Sequence, residues 1–595
     1  MGNKFTKRLL AVALGAIIAL SPVGGSFTGA NNLATVSAAT STNLPQDMSD
    51  GAILHAFCWS FNTIKNNMAN IAAAGFSAVQ TSPINACESS YSAMTLSGPS
   101  GCWYYHYQPT DWTIGNYQLG TRAQFKAMCD EADKYGIKII VDVVPNHTAS
   151  AKDHVSSNLK NAVGGQSKLY HSTGDTWISD YSNRLQCTRY SLSGLPDVDT
   201  ENTAFQNYFI SYLNDCIACG ADGFRYDTAK HIGLPDDSRP SGVNNNFWGR
   251  VTTEISNASR IFNYGEVLQG GNERLGAYQK AIGATTASSY GEQIRTALKN
   301  KNFLVSNIMY YCIPSDANAD DLVTWVESHD NYINDGTWSE LSESQVLLGY
   351  AIITARADGT PLFFSRPKGS STSNMWGNNT IGAVGSDAYK SATVREVNLF
   401  RNNMVGQSEY LRNPNGSERI LMIERGNKGM TIVNNSQWNY VLTNITTNLA
   451  DGTYVDHISG TNTFTVSGGK INGTIPENGV VVLYNTSASN SGSNSGNSNS
   501  TTVYFYNSSN WSQVYAYVWG PGELLGKWPG TKCTADGSKW YKITLPSKPA
   551  SNLHVIFNNG GNGSQSPDYV ISNSTNVYMK NSSSSKYTSK SAAGY

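Results

Sequence analysis

Short apolar runs that end in polar clusters recur through the first four hundred residues of the chain. Residues 139–144, 261–264 and 322–326 are rich in β-branched and apolar side chains with little polar alternation. That is the pattern of strands buried on both faces of a parallel sheet. Residues 53–58, 78–84 and 361–364 read the same way, the last ending in Ser365-Arg366. Between runs the period changes. Thr121-Arg-Ala-Gln124 reads as a capping box, followed by Phe125, Met128, Cys129 and Ala132 at helical spacing, with Gly136 as a stop. A second helix is predicted over residues 206–219.

The polar clusters are Asp142-Val-Val-Pro-Asn-His147, Gly223-Phe-Arg-Tyr-Asp227, Gly265-Glu266 and Ser328-His-Asp330, about 80, 40 and 60 residues apart. These separations suit one or two strand-plus-helix units each. A closed parallel barrel brings such clusters together, because all its strands end on one face. The predicted fold is therefore α/β, a (β/α)8 TIM barrel over residues 45–404. Residues 148–196 are too long for a simple loop and read as a domain inserted after the third strand.

Two composition changes divide the rest. Residues 405–485 carry strand patterns at 419–424, 429–433, 463–466 and 480–484 and are predicted to form an all-β domain. Residues 486–501 are almost wholly Ser, Asn and Gly, a flexible linker. Residues 502–595 hold aromatic strands at 503–506, 514–519 and 540–544 between turn residues, which reads as a tethered β-sandwich. Alternation puts Tyr515 and Tyr517 on one face, and Trp528 lies in a Trp-Pro-Gly turn.

At the start, Lys4, Lys7 and Arg8 precede an apolar run at 9–20 and small residues at 36–39. Residues 1–39 read as a signal peptide, so the mature chain is expected to be exported and extracellular. The run is too short to span a bilayer. A formal net charge of -1 with only 14% charged residues gives no electrostatic reason to bind nucleic acid or an anionic membrane. Aromatic residues reach 11%, which fits a neutral, hydroxylated partner stacked on ring faces. Nine cysteines leave at least one unpaired. Cys87 and Cys102 flank a Ser/Gly-rich loop and are the favoured disulfide; Cys216 and Cys219 read as core packing rather than a metal pair.

These clusters, with Leu195-Pro-Asp-Val-Asp199 between the first two, resemble the motif set of the α-amylase family, glycoside hydrolase family thirteen. The resemblance runs from about residue 50 to 485. Gly51-Ala-Ile-Leu-His55, Gln80-Thr-Ser-Pro-Ile-Asn85 and Phe363-Phe-Ser-Arg-Pro367 are most similar to its secreted bacillar type. The last 95 residues resemble a family-twenty-six starch-binding module, whose stacking platform would be Tyr515, Tyr517 and Trp528. The family match implies Asp227 as nucleophile, Glu266 as general acid/base and Asp330 as the carboxylate that stabilises the transition state. Arg225, two residues before Asp227 on one strand face, is expected to hold it ionised, and neighbouring carboxylates to raise the pKa of Glu266.

His147 and His329 match sugar-binding histidines, Tyr107 and Gln108 a stacking tyrosine and its polar neighbour, and Lys230 and His231 substrate contacts. The same match implies Ca2+, with side-chain oxygens from Asn146 and Asp197 and backbone oxygens from Thr188 and His231. Ser328 stands where chloride-activated members carry Asn. The implied activity is endo-hydrolysis of α-1,4 bonds in starch and related α-1,4-glucans, with retention, by a monomer. The alternatives are an α-glucanotransferase on the same residues and a non-catalytic starch-binding protein, the latter disfavoured by the intact Glu266.

Overall fold

The computed structural model describes residues 44–485 and 502–587, except 46, 97–101, 271–272, 520–525, 537–538, 546–552, 562, 572–575 and 581–582. The expected signal peptide and linker lie outside the described residues. The chain divides into two compact units between residues 486 and 487.

In the first unit, eight strands close into a barrel. They are β1 (Ile53–Ala56), β2 (Ala78–Thr81), β3 (Lys138–Val143), β4 (Gly223–Tyr226), β5 (Phe262–Gly265), β6 (Ala284–Thr286), β7 (Leu322–Trp325) and β8 (Thr360–Phe364). Each pairs in parallel with its neighbour in sequence, and β8 returns to β1 with Leu362 opposite Ile53. The expected strands at 53–58 and 78–84 overrun β1 and β2, because Phe57, Cys58 and Ile84 leave the ladder yet stay buried. β6 is only Ala-Thr-Thr, too short to show a period.

Register is what the site depends on. Asp142 of β3 lies opposite Arg225 of β4, and Arg225 opposite Tyr264 of β5. Alternation then sends Phe224 and Tyr226 into the apolar layer outside the barrel and Arg225 inward. The predicted helix forms as Arg122–Tyr135, with both capping-box bonds present and Gly136 at φ 70° closing it. Cys216 and Cys219 are buried on the helix Thr203–Cys219, against Cys129 of the preceding helix. The expected Cys87–Cys102 disulfide is not formed, although both residues lie in one buried cluster with Tyr105.

Residues 148–196 contain the short helices Ser157–Ala162, Gln166–Leu169 and Arg184–Cys187 between turns. They are pinned to the barrel mouth by the Ala149 N–H on the Pro109 carbonyl at 2.8 Å. Beyond the barrel, residues 409–484 form two four-stranded antiparallel sheets that enclose Met422, Ile432, Phe464 and Ile471. The strands Tyr440–Thr446 and Lys470–Ile475 escape the sequence pattern, since each keeps polar residues on its outer face.

Arg401 ties the barrel's start to its end. Its buried guanidinium donates to five backbone carbonyls, those of Ser49, Asp50, Gly51, Arg356 and Gly359, at 2.7–3.2 Å. Among the described residues no carboxylate bonds it, and burial lowers its pKa to about 10.

The second unit pairs a five-stranded and a four-stranded sheet over Val503, Phe505, Ala516, Val518, Val555 and Phe557. No helix of the described residues is long and apolar enough to cross a membrane.

Arg401→Ala should lower unfolding free energy by roughly 3 kcal/mol or more, because it strands several buried carbonyls at once. Denaturant melts of the pure variant check this, and Arg401→Lys should recover only part of the loss, because one ammonium cannot span the same acceptors.

Candidate active site

The site is assembled around one side chain. Arg225 Nη1 donates to Asp142 at 2.8 and 3.0 Å and to Asp227 Oδ1 at 2.8 Å, while Nη2 lies 2.9 Å from Glu266 Oε1. Asp227 and Glu266 each stand one residue past a strand, with the Asp227 N–H on the Val143 carbonyl and the Glu266 N–H on the Tyr226 carbonyl, both at 2.8 Å. The chain then turns sharply. Thr228 adopts φ 47°, and its N–H donates to Glu266 Oε2 at 3.0 Å.

Asp330 comes from the loop after β7, in the first turn of the helix His329–Ile333. Ser328 caps that helix by accepting from the Asn331 N–H. The loop is fixed below by a buried pair in which Arg366, just after β8, grips Glu327 at 2.6 and 2.8 Å. Asp330 Oδ1 accepts from the Asn334 amide at 3.0 Å, and about a third of the Asp330 side chain (32%) is open to solvent.

Aromatic rings wall the cluster. His329 stacks on Tyr107 at 5.0 Å and 11°, and on Phe57 at 5.7 Å and 19°. The Tyr107 hydroxyl donates to Asp142 at 2.9 Å, and His147 Nε2 meets the Tyr107 carbonyl at 3.0 Å. Tyr107, His147, Arg225, Asp227, Glu266, His329 and Asp330 are thus brought together. Gln108 follows in the chain, but its side chain makes no hydrogen bond to the carboxylates among the described residues. Lys230 and His231 lie to one side: Lys230 Nζ donates to the Leu268 carbonyl at 3.0 Å, and His231 Nδ1 meets the Cys187 carbonyl of the insertion at 2.8 Å.

Four carboxylates face one guanidinium, and their titration corrects two expectations. Burial, opposed by Arg225 and reinforced by Glu266 and Asp142, pushes Asp227 up to about 8, so Arg225 alone does not hold it ionised. Burial pushes Glu266 up most strongly, but Arg225, His329, the Thr228 N–H and Lys230 together outweigh it, and Glu266 sits below the ordinary carboxylate range instead of above it. Burial and the Glu266 charge hold Asp330 well above that range. Because these carboxylates face one another across a single guanidinium, the group titrates as a unit.

Asp142 is the residue the motif reading passed over. A lone acid in the apolar strand Lys-Ile-Ile-Val-Asp-Val was the available signal, since a charge there needs an inward partner.

The residues implied for calcium fall beside this cluster. Asn146 and Asp197 are neighbours: His147 bridges Asp197, and the Val198 N–H donates to the Asn146 carbonyl at 2.9 Å. Thr188 follows Cys187, whose carbonyl is held by His231. Asp197 Oδ2 is bound by His171 Nδ1 at 2.5 Å, whereas its Oδ1 is buried with no hydrogen-bond partner. A buried, unpartnered carboxylate oxygen beside amide and carbonyl oxygens fits a hard cation. His171 itself, flanked also by Asp199 and Glu201, was not foreseen; its protons serve the carboxylates around it. In the second unit Tyr515 and Tyr517 share the outer face of one strand, and Trp528, 44% exposed, packs edge-on to Tyr517 at 5.5 Å.

The fold and these strand-end groups define a (β/α)8 protein with its site at the C-terminal mouth of the barrel. Residues 61–342 match the alpha amylase catalytic domain, residues 410–486 the alpha amylase C-terminal all-beta domain, and residues 503–570 starch-binding module 26. An alpha-amylase of Clostridium acetobutylicum is 36% identical over 94% of this chain and 72% of its own length. An alpha-amylase of Butyrivibrio fibrisolvens is 46% identical over 91% of this chain, which spans 56% of that relative. The chain belongs to the alpha-amylase family. Among solved structures, the alpha-amylase I of Eisenia fetida matches with a TM-score of 0.59 at 20% identity, over 73% of this chain and 97% of that one.

Stability should respond to the buried neutral histidines. Burial holds His106 and His329 down to about 3 and His55 well below its usual value. A depressed histidine contributes stability that is complete above the unfolded pKa of about 6.5 and is lost as pH falls toward the folded value. Melting temperature at fixed salt should therefore drop from pH 7 to pH 4.5, and His106→Asn should make the descent shallower.

Proposed function

We propose that the chain is an exported, calcium-binding α-amylase that hydrolyses internal α-1,4 bonds of starch with retention, and that its second unit holds it on the substrate. The carrying observation is the single Arg225 guanidinium that bonds both Asp227 and Glu266 at neighbouring strand ends. Two carboxylates on adjacent nitrogens of one planar group are held close together, as double displacement requires.

Asp227, bonded to Arg225 through Oδ1, attacks the anomeric carbon through its other oxygen as the carboxylate, while Glu266 delivers the cluster's proton to the leaving oxygen. After the leaving sugar departs, Glu266 as carboxylate draws a proton from water, which then releases the glycosyl group from Asp227. Sugar stacked on Tyr107 and bonded by His147 and His329 displaces water from the cluster, and Lys230 and His231 would serve the flank toward the insertion. Gln108 would contact sugar at the cleft edge.

Asn146, Asp197 and the carbonyls of Thr188 and His231 would hold calcium, which supplies positive charge that staples the insertion to the barrel. The orphaned Asp197 Oδ1 supports this. Export rests on the sequence pattern at 1–39.

On soluble starch the mature protein should lose iodine staining rapidly while few reducing ends appear, and Glu266→Gln should slow this about 10²- to 10⁴-fold. Stain loss without new ends would mean glucan transfer, and no change in either would mean a binding protein. Separately, saturating calcium should stabilise the chelated protein by about 3 kcal/mol at a hundredfold excess over Kd, read by calorimetry, and Asp197→Ala should remove that increment.

A further inference from the structure

The outer face of the strand Tyr515–Trp519 carries more aromatic surface than the platform uses. Ala516 and Val518 point into the core, so Tyr515, Tyr517 and Trp519 all project outward. Trp519 lies near-parallel to Tyr517, with centroids 5.2 Å apart and planes at 26°. On the paired strand Leu553–Asn558, His554 stands opposite Trp519 and lies near-parallel to it at 5.1 Å and 20°. His554 Nδ1 is 2.8 Å from Asp568 Oδ2. With the imidazole turned this way, Nε2 is the nitrogen available to a sugar hydroxyl.

The turn holding Trp528 crosses the same strand closer to its start. Gly530, at φ 89°, lies so near the backbone of Ala516 that a Cβ there would be 2.1 Å from the Ala516 carbonyl oxygen. Trp528 is thereby fixed against Tyr517, which leaves Trp519 as the far end of the row. Tyr515 to Trp519 spans roughly 13 Å at the rise of an extended strand. A single exposed ring needs no explanation, but a continuous row of rings on one sheet face with a polar pair at its end does. Successive ring faces along a groove are how a chain of flat-faced units is gripped without sequence preference.

We propose that Trp519, backed by His554, is a further stacking position that extends the Tyr515, Tyr517 and Trp528 platform, so that the module takes a longer run of α-1,4-linked glucose. This rests on the starch-binding reading of the same face. Ring contacts run from Trp528 through Tyr517 and Trp519 to His554, and this ring-lined surface with a hydrogen-bonding end suits a glucan strand.

The test uses the full chain carrying Glu266→Gln, with calorimetric titration of maltotriose and maltoheptaose. A Tyr517→Ala/Trp528→Ala variant in that background reports binding by the rest of the chain. Trp519→Ala should weaken the module-dependent affinity for maltoheptaose about five-fold and change that for maltotriose less than two-fold, and Trp519→Phe should restore most of it. Equal loss for both ligands, or loss for neither, overturns the proposal. If the parent and the Tyr517→Ala/Trp528→Ala variant give the same curves, the starch-binding reading itself fails and the extension fails with it.

Discussion

The first unit turns on one buried guanidinium. Arg225 satisfies Asp142, Asp227 and Glu266 from three adjacent strands of the barrel. Burying so many charges is costly, and the cost is met only when donors and acceptors match in geometry. A planar fork with several donors can do this where an ammonium cannot. The arrangement therefore demands the observed register of β3 against β4 and of β4 against β5. A slip of one residue would turn Arg225 outward into an apolar layer.

From that arginine a network of polar contacts runs to Asn146 and Asp197. Asp142 accepts from the Tyr107 hydroxyl, the Tyr107 carbonyl meets His147, and Asn146 next to it pairs with the segment holding Asp197. His171 then closes on Asp197 and Glu201. The insertion and the barrel mouth are thus joined by polar groups that also shape the cleft. An ion at Asp197 would act on the same network as a sugar on Tyr107.

The electrostatics show why residue-by-residue reading is insufficient at such a site. Each carboxylate considered alone invites a single assignment, with Asp227 ionised by Arg225 and Glu266 protonated by its neighbours. In the assembled cluster the donors are unevenly shared. Glu266 takes donors on both oxygens, from Arg225 and the Thr228 N–H, while Asp330 accepts from the Asn334 amide and faces the Glu266 charge. A proton here belongs to the cluster and not to one carboxylate.

Much of the architecture was legible in the chain. Apolar runs ending in Asp, Glu and His marked most barrel strands, because a strand buried on both faces is mostly apolar until it leaves the sheet. The capping box at Thr121 and the glycine at 136 bounded a helix, since those ends are satisfied locally. What local pattern lacks is partnership. β6 is too short to have a period, and its place is set by β5 and β7 on either side. Asp142 and His171 became recognisable only beside Arg225 and Asp197, residues 83 and 26 positions away. The sequence by itself determined which residues could ionise, stack or span a strand; the tertiary structure decided which charges share a donor, because that depends on register between strands distant in the chain.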